Sequence, residues 1–219
     1  MKITTIFYFS ILSFSTIFSQ SNPYLQIARI KYSGGGDWYN DHSVEVNLLN
    51  FISENTNIKT NPDYVVADLE TNDIFNYPVT FITGHGNIVF SNKNVKKLTE
   101  YFENGCFMIV DDDYGLDKSF RREIKKLFPN TDLLELPFNH KIYHSLYDFD
   151  NGPPKTHEHD NKAPKGYGLF LGERMVLYYT TESNPSDGWA NQDVHNDPEE
   201  KRVEALKFGT NVIVYTLSN

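Results

Sequence analysis

Three consecutive aspartates, Asp111 to Asp113, follow a short apolar segment and are the residues whose types and spacing most suggest chemistry. Adjacent carboxylates repel one another and are costly to remove from water, so they mark either a solvated strand end or a functional site. If extended backbone continues through them, Asp111 and Asp113 project to one side and Asp112 to the other. Three roles are open: capping or bracing neighbouring loops, proton transfer by paired carboxylates, and binding of a hard divalent cation.

The sequence TGHG at 83–86 places a histidine between two glycines. Glycine allows backbone conformations whose N–H groups converge on an anion or oxyanion, and histidine exchanges a proton near neutral pH. A tight structural turn with an exposed histidine is the alternative. The candidate catalytic residues are thus His85 with the three aspartates, and the candidate ligand-binding residues here are Gly84, His85 and Gly86.

The sequence GGGDWY at 34–39 offers backbone N–H groups, an acid and an aromatic platform. It lacks the Lys-Ser/Thr pair of a Walker loop, and a flexible turn with the tryptophan folded onto the core is the alternative. Trp38 and Trp189, if exposed, could stack on a sugar or a peptide. Further along the chain, Arg121 either pairs with a carboxylate on a solvated helix face or reaches back to order the aspartates. The additional ligand-binding candidates are Gly35, Gly36, Asp37, Trp38, Arg121 and Trp189.

Histidines concentrate in the second half of the chain, at positions 140, 144, 157, 159 and 195. The two-residue spacing in THEHD can aim two imidazoles at one ion in extended backbone. The four-residue spacing in NHKIYH suits a helix, although Pro137 disfavours a helix there. Ordinary loop hydrogen bonding is the alternative to metal binding, because the chain has neither a cysteine pair nor an HExxH run. The candidate ligands for a possible divalent metal are His140, His144, His157 and His159.

Apolar strand-like runs alternate with amphipathic helix-like runs, which predicts an α/β fold with a mostly parallel sheet. Strands are expected at 25–32, 64–69, 79–83, 106–110 and 133–136, helices at 43–54, 91–102 and 118–128, and a hairpin at 166–180. A helix is expected from Asp197 towards Tyr215, although residues 211–217 could also form a strand. Ligands of open α/β sheets bind at the carboxyl ends of strands, so the clusters at 34–39, 83–87 and 111–114 predict a single cleft.

The composition indicates one globular domain that does not bind nucleic acid. The chain has 219 residues, 39% of them hydrophobic, and a formal net charge of −9 at pH 7. Acidic balance without a basic run argues against a nucleic acid or an anionic membrane surface as partner. Cys106 is the single cysteine, so no intrachain disulfide can form.

Residues 1–19 are expected to be a secretory signal peptide, followed by one domain at 20–219. Met1-Lys2 supplies a short positive region, residues 3–18 are apolar and rich in Ser and Thr, and Ser19 is a small residue at a plausible cleavage point. An uncleaved anchor is the alternative, but the segment is short and polar for a membrane span. The protein is therefore expected to be exported to the periplasm or beyond the cell, with no membrane span in the mature chain.

Several motifs carry a resemblance to a known family: YSGGGDWYND, YPVTFITGHG, DDDYG, FRREIKKLFP, LPFNHKIYHSLYDF and GLFLGERMVLYY. With them the chain resembles the domain-of-unknown-function family 4159, which is similar in fold to the class I glutamine amidotransferase-like superfamily that includes ThuA-like proteins. The resemblance implies a flavodoxin-like three-layer sandwich. It also implies that TGHG takes the place of the oxyanion loop of the amidotransferases, and that the aspartates take the place of the elbow that carries their nucleophilic cysteine.

The missing nucleophile decides the expected function. Cys106 lies at the opposite end of the strand from the elbow, so glutaminase chemistry is not expected. The first hypothesis is an exported, non-catalytic domain that uses the cleft to bind a small molecule or a protein partner. The second is a metal-assisted or acid/base hydrolase centred on His85 and the aspartates, with loop histidines closing over them.

Overall fold

The structure, a computed structural model, describes residues 24–157 and 159–218, and the expected signal peptide lies outside these residues. The strands are β1 (Ile27–Lys31), β2 (Val65–Asp68), β3 (Val79–Ile82), β4 (Phe107–Asp111), β5 (Leu134–Glu135), β6 (Lys165–Leu171) and β7 (Arg174–Thr181). The helices are α1 (Val44–Asn55), α2 (Asn92–Glu103), α3 (Asp117–Leu127), α4 (Pro185–Trp189), α5 (Gln192–His195) and α6 (Glu199–Ser218). Two short 3-10 turns lie at Asp73–Asn76 and Lys141–Tyr143.

The strands form one mixed, mostly parallel sheet in the order β2-β1-β3-β4-β7-β6-β5. The pairs from β2 to β7 are parallel, and β6 and β5 are added antiparallel at one edge. The expected α/β class is therefore confirmed. The hairpin of β6 and β7 has a consequence for the site, because β7 returns beside the central strand β4 and brings the segment after Thr181 to the same edge as the aspartates.

Helices cover both faces of the sheet. Successive residues of a strand point to opposite faces, so each strand contributes side chains to a core on either side. On β4, Ile109 packs into a core with Leu48 of α1 and Phe208 of α6. Its neighbour Val110 packs into a second core with side chains of α2 and α3. Every residue of β4 is buried, as the continuously apolar sequence predicted for a central parallel strand.

Local sequence signals explain where two helices begin. Ser91 caps α2 through a capping box, in which its hydroxyl accepts from the Asn94 N–H while the Asn94 side chain accepts from the Ser91 N–H. At the start of α3, the Asp112 carboxylate accepts the Leu116 N–H at 2.7 Å. One of the three aspartates thus caps the following helix, as expected.

The C-terminal segment is helical throughout, which settles the alternative left open for residues 211–217. Helix α6 runs for 20 residues, and Val212, Ile213 and Tyr215 are buried in the same core as α1. Burial of this apolar face outweighs the lower helix propensity of the β-branched residues.

The edge strand β5 is shorter than the strand expected at 133–136, because it has only two residues, and both are exposed. No helix among the described residues has the length and apolarity to cross a lipid bilayer.

Candidate functional site

The loops after β1, β3 and β4 contact one another at the carboxyl edge of the sheet. Ser33 forms a bridge with Val89, and His85 forms a bridge with Tyr114. The Gly86 N–H donates to the Tyr114 carbonyl at 3.1 Å. The three polar clusters therefore come together in one region, as their positions at strand ends predicted.

His85 is held between two carboxylates. Its Nδ1 lies 3.0 Å from Oδ2 of Asp37 and 3.3 Å from Oδ2 of Asp113. Asp113 is 6% exposed while the His85 side chain is 50% exposed, so the ring links a buried carboxylate to the protein surface. Within the described part of the chain, the ring's hydrogen bonds involve Nδ1, and Nε2 has no hydrogen-bond partner.

Gly84 makes the contact between Asp37 and His85 possible. Its φ is +130°, and a Cβ atom there would lie 2.6 Å from the Tyr32 hydroxyl and 2.9 Å from Oδ1 of Asp37. With no side chain in the way, Oδ1 of Asp37 accepts the His85 N–H at 2.5 Å. Asp37 thereby fixes both the backbone and the ring of His85.

The expectation that TGHG forms an oxyanion loop is wrong for the two N–H groups that follow Gly84. The His85 N–H donates to Asp37 and the Gly86 N–H donates to Tyr114, so neither is left to bind an anion. In the GGGDWY segment, the Gly36 N–H likewise donates to the Asn87 carbonyl at 2.9 Å, while Gly35 is exposed. The N–H groups of Gly36, His85 and Gly86 thus hold the loops to one another.

The three aspartates divide in the expected alternating way. Asp111 is 1% exposed and accepts from the Thr180 hydroxyl at 2.7 Å. It also accepts from the Ser186 N–H at 3.0 Å and the Ser186 hydroxyl at 2.7 Å. Burial raises the pKa of Asp111 to about 7 and that of Asp112, on the α3 side, to about 6. Asp111 is thus a structural anchor between β7 and α4, and Asp112 is a helix cap.

Asp113 is the aspartate that faces His85. Besides His85 it accepts from the Asn40 side chain at 2.9 Å and from the Asn184 side chain at 3.2 Å. Burial raises the pKa of Asp113, and the nearby His85 opposes that rise. Asn184 also approaches Nε2 of His159 through its Nδ2 at 2.7 Å, so its amide joins the His85 region to the histidine loop.

A second group of titratable side chains lies beside the group formed by Asp37, His85 and Asp113. Asp187, on α4, has Oδ2 3.6 Å from Nδ1 of His157 and Oδ1 3.6 Å from Nε2 of His195. The His157 and His159 rings lie 5.0 Å apart between centroids, and His159 lies 4.6 Å from the Tyr114 ring. Within the described part of the chain, His157, Asp187 and His195 are the one group of three such side chains whose ligand atoms all lie within 4.8 Å of one another.

Two of the predicted metal ligands make other contacts. His140 accepts the Ile142 N–H at 3.2 Å as the cap of a 3-10 turn, and its ring packs against Tyr215. His144 pairs with Asp148 at 3.0 Å and contacts the Phe138 carbonyl at 2.9 Å. The four-histidine set predicted from spacing is therefore wrong, because only His157 and His159 lie beside the aspartates.

For the aromatic and arginine candidates, the structure favours the structural alternatives over the ligand-binding ones. Trp189 is 2% exposed and its indole N–H donates to the Ala205 carbonyl, so it is a core residue and not a stacking platform. Trp38 is half-buried and packs on the second core. Arg121 pairs with Asp117 at 2.6 Å and lies over the Tyr167 ring at 4.5 Å. It therefore lies on the surface of α3, where it lines a groove together with Asp117 and Tyr167. The single cysteine, Cys106, precedes β4 at the opposite end from the aspartates, and burial raises its pKa.

Four residues of the site were not predicted from the sequence: Asn40, Asn184, Asp187 and His195. The sequence SNPSD, which follows a strand, contains two of these residues, Asn184 and Asp187. Asn184 has a left-handed φ of +48°, which asparagine tolerates better than most residues. These residues were not assigned to the site because the sequence of the preceding hairpin does not show that its second strand, β7, pairs with β4.

Comparison with known proteins gives a family but no activity. No curated protein matches the chain. The model of a family described as "Domain of unknown function (DUF4159)" matches residues 26–217. That range includes every element of the fold apart from the last residue of α6. The chain therefore belongs to the domain-of-unknown-function family DUF4159.

Proposed function

We propose that the chain is an exported hydrolase in which His85 is the general base. The observation that carries this proposal is the position of Nδ1 of His85, 3.0 Å from Asp37 and 3.3 Å from Asp113. A carboxylate at one ring nitrogen holds the imidazole in the tautomer whose other nitrogen accepts a proton, and it stabilises the imidazolium that forms. Nε2 of His85 then takes a proton from a water molecule as the water oxygen attacks the substrate, and the imidazolium returns that proton to the leaving group when its bond to the substrate breaks.

The two carboxylates have different roles in this proposal. Asp37 binds both the ring and the backbone N–H of His85, so it sets the orientation of the base. Asp113 is nearly buried and held by two asparagine side chains, so it supplies negative charge from a fixed position. Groups held in place before the substrate binds need little rearrangement during the reaction, which favours catalysis.

We further propose that the fold is flavodoxin-like and of the class I glutamine amidotransferase type. The parallel strand order β2-β1-β3-β4-β7 supports this, because it follows the 2-1-3-4-5 order of flavodoxin-like sheets. Asp111 to Asp113 end the strand that carries the cysteine elbow in amidotransferases. Since the chain's cysteine lies at the other end of that strand, water replaces a thiol as the nucleophile. Export is proposed from the apolar segment 3–18.

A non-catalytic binding domain is the second candidate. It is favoured by the absence, among the described residues, of a Ser, Thr or Cys side chain hydrogen-bonded to His85. Such a cleft would bind a small molecule or a partner protein through Asp37, His85 and Asp113 without turnover. The two candidates differ in whether His85 is needed for a chemical step or for affinity.

The deciding experiment is a hydrolysis assay on p-nitrophenyl acetate, p-nitrophenyl phosphate, bis(p-nitrophenyl) phosphate and p-nitrophenyl glycosides. We expect turnover of one substrate class, and a rate at least about 100-fold lower in His85→Gln, the usual loss when a general base is removed. His144→Gln is the matched control and should retain the wild-type rate, because His144 contacts Asp148 and Phe138. Equal rates in the wild type and His85→Gln would overturn the hydrolase proposal.

A further inference from the structure

The three side chains His157, Asp187 and His195 come from three separate segments: the irregular loop before β6, helix α4 and helix α5. Each histidine approaches a different oxygen of the same carboxylate, at 3.6 Å in both cases. This is longer than a normal hydrogen bond between a ring nitrogen and a carboxylate oxygen. Hydrogen bonding within the group therefore does not account for the arrangement.

The distances suit shared coordination better. Ligand atoms about 2.0–2.2 Å from one tetrahedral ion lie roughly 3.3–3.6 Å from one another. The two histidine–carboxylate distances of 3.6 Å lie at the upper end of that range, and the ligand atoms of all three side chains lie within 4.8 Å of one another. Imidazole nitrogens with one carboxylate oxygen are a donor set that zinc and ferrous iron prefer.

The surroundings of Asp187 also call for positive charge. Its side chain is 8% exposed, and Asp113, Asp111 and Asp197 lie near enough to act on it electrostatically. The carboxylates of Asp113 and Asp111 repel that of Asp187. A divalent cation would offset this repulsion.

Two buried polar atoms in the same region give independent support. Among the residues that the structure describes, Oδ1 of Asn184 and Oδ2 of Asp197 have no hydrogen-bond partner, although both atoms are buried. Asn184 donates through its other amide atom to Asp113 and its backbone carbonyl accepts the Asp187 N–H. A buried oxygen without a donor is costly, and it is satisfied when a cation or a water molecule bound to that cation lies within reach.

We propose that His157, Asp187 and His195 bind one divalent transition metal ion, zinc or ferrous iron, with the remaining positions open to water or substrate. This deepens the proposed hydrolase, because an open metal site lowers the pKa of bound water and polarises a substrate oxygen. That catalytic role rests on the proposed function, whereas metal binding does not. The metal alone is therefore the probe.

The test measures binding of Zn²⁺ and Co²⁺ to protein purified without a histidine tag and stripped with EDTA. We expect one ion per chain with a Kd below about 1 µM, and visible cobalt bands typical of a four- or five-coordinate site. His195→Ala and His157→Ala should each weaken binding at least about 100-fold. Asp187→Asn serves as a further variant, since it keeps the volume of the buried side chain.

Matched controls separate this site from other histidines. His144→Ala should bind zinc as the wild type does, because its contacts are with Asp148 and Phe138. His85→Gln should also keep the metal while losing hydrolysis. Unchanged zinc affinity in both His157→Ala and His195→Ala, or binding of less than one ion per chain at 10 µM zinc, would overturn the metal site. Tight metal binding without hydrolysis of any substrate would leave the metal site standing and overturn the proposed function.

Discussion

At the scale of single residues, three chemically identical neighbours have three environments. Asp111 is enclosed by hydroxyl and backbone donors, Asp112 caps α3, and Asp113 faces His85. Backbone alternation separates Asp112 from the other two, and the surrounding hydrogen bonds separate Asp111 from Asp113. The sequence predicted the alternation and the cap. It could not predict which acid meets His85, because that depends on loops distant in the chain.

The burial of Asp111 predicts a pH dependence of stability. Its pKa rises to about 7 in the folded protein, against about 3.9 for an unfolded aspartate. Between about pH 3.9 and pH 7 the Asp111 carboxyl is therefore protonated in the folded state and ionised in the unfolded state. The stabilisation from this proton is full below about pH 4 and is lost as the pH rises through 7. Relative to Asp111→Asn, we expect the wild type to lose on the order of a few kcal/mol of unfolding free energy between pH 4 and pH 8.

Urea denaturation of both proteins at four pH values from 4 to 8 measures this difference. The exposed Asp63→Asn is the control, and its difference from the wild type should stay flat over the same range. A wild-type protein that gains stability over Asp111→Asn as the pH rises would contradict the prediction, because the carboxylate would then be the favoured buried form.

At the scale of elements, periodicity and capping signals sufficed for much of the fold. The capping sequence at Ser91 and the continuously apolar β4 gave α2 and the central strand to within one residue. What they could not give is the neighbour of β4, since strand pairing is decided by long-range packing. The position of β7 determines the position of α4, and with it the position of Asp187, so the sequence could not place Asp187 beside His157.

The contact between α6 and α4 can be tested at Gly209. A Cβ atom there would lie 2.7 Å from Cδ1 of Leu48 and 2.7 Å from Cζ2 of Trp189. Alanine in place of a helix-interior glycine normally stabilises by up to about 1 kcal/mol. Here we expect Gly209→Ala to destabilise the protein by about 1–3 kcal/mol, because two buried side chains must move.

Thermal unfolding and tryptophan fluorescence would report this change. Glu204→Ala, on the exposed face of the same helix, is the control and should stay within about 0.5 kcal/mol of the wild type. Because Trp189 and Asp187 share α4, Gly209→Ala should also weaken zinc binding. A variant more stable than the wild type would show that α6 can move away from α4 without cost.

At the scale of the whole molecule, the site is assembled from positions between Asp37 and His195, on the loops after β1, β3 and β4, the loop before β6, and the helices α4 and α5. No local segment carries both the base and the proposed metal ligands, so the unfolded chain cannot reproduce the site. A ligand that binds the folded state but not the unfolded one stabilises the whole domain by mass action. Zinc at 100 times its Kd should therefore add about 2.7 kcal/mol to the unfolding free energy.

This linkage predicts that the site and the fold are lost together. In guanidinium titrations of the cobalt-loaded protein, the visible absorption and the far-ultraviolet circular dichroism should share one midpoint, and that midpoint should rise with metal concentration. At metal concentrations below about 100 times the wild-type Kd, His195→Ala should show a midpoint close to that of the EDTA-treated wild type. If the cobalt signal disappeared at a lower guanidinium concentration than the circular dichroism, the segment that carries His157 would open locally while the sheet stays folded. The metal would then stabilise that loop and not the domain.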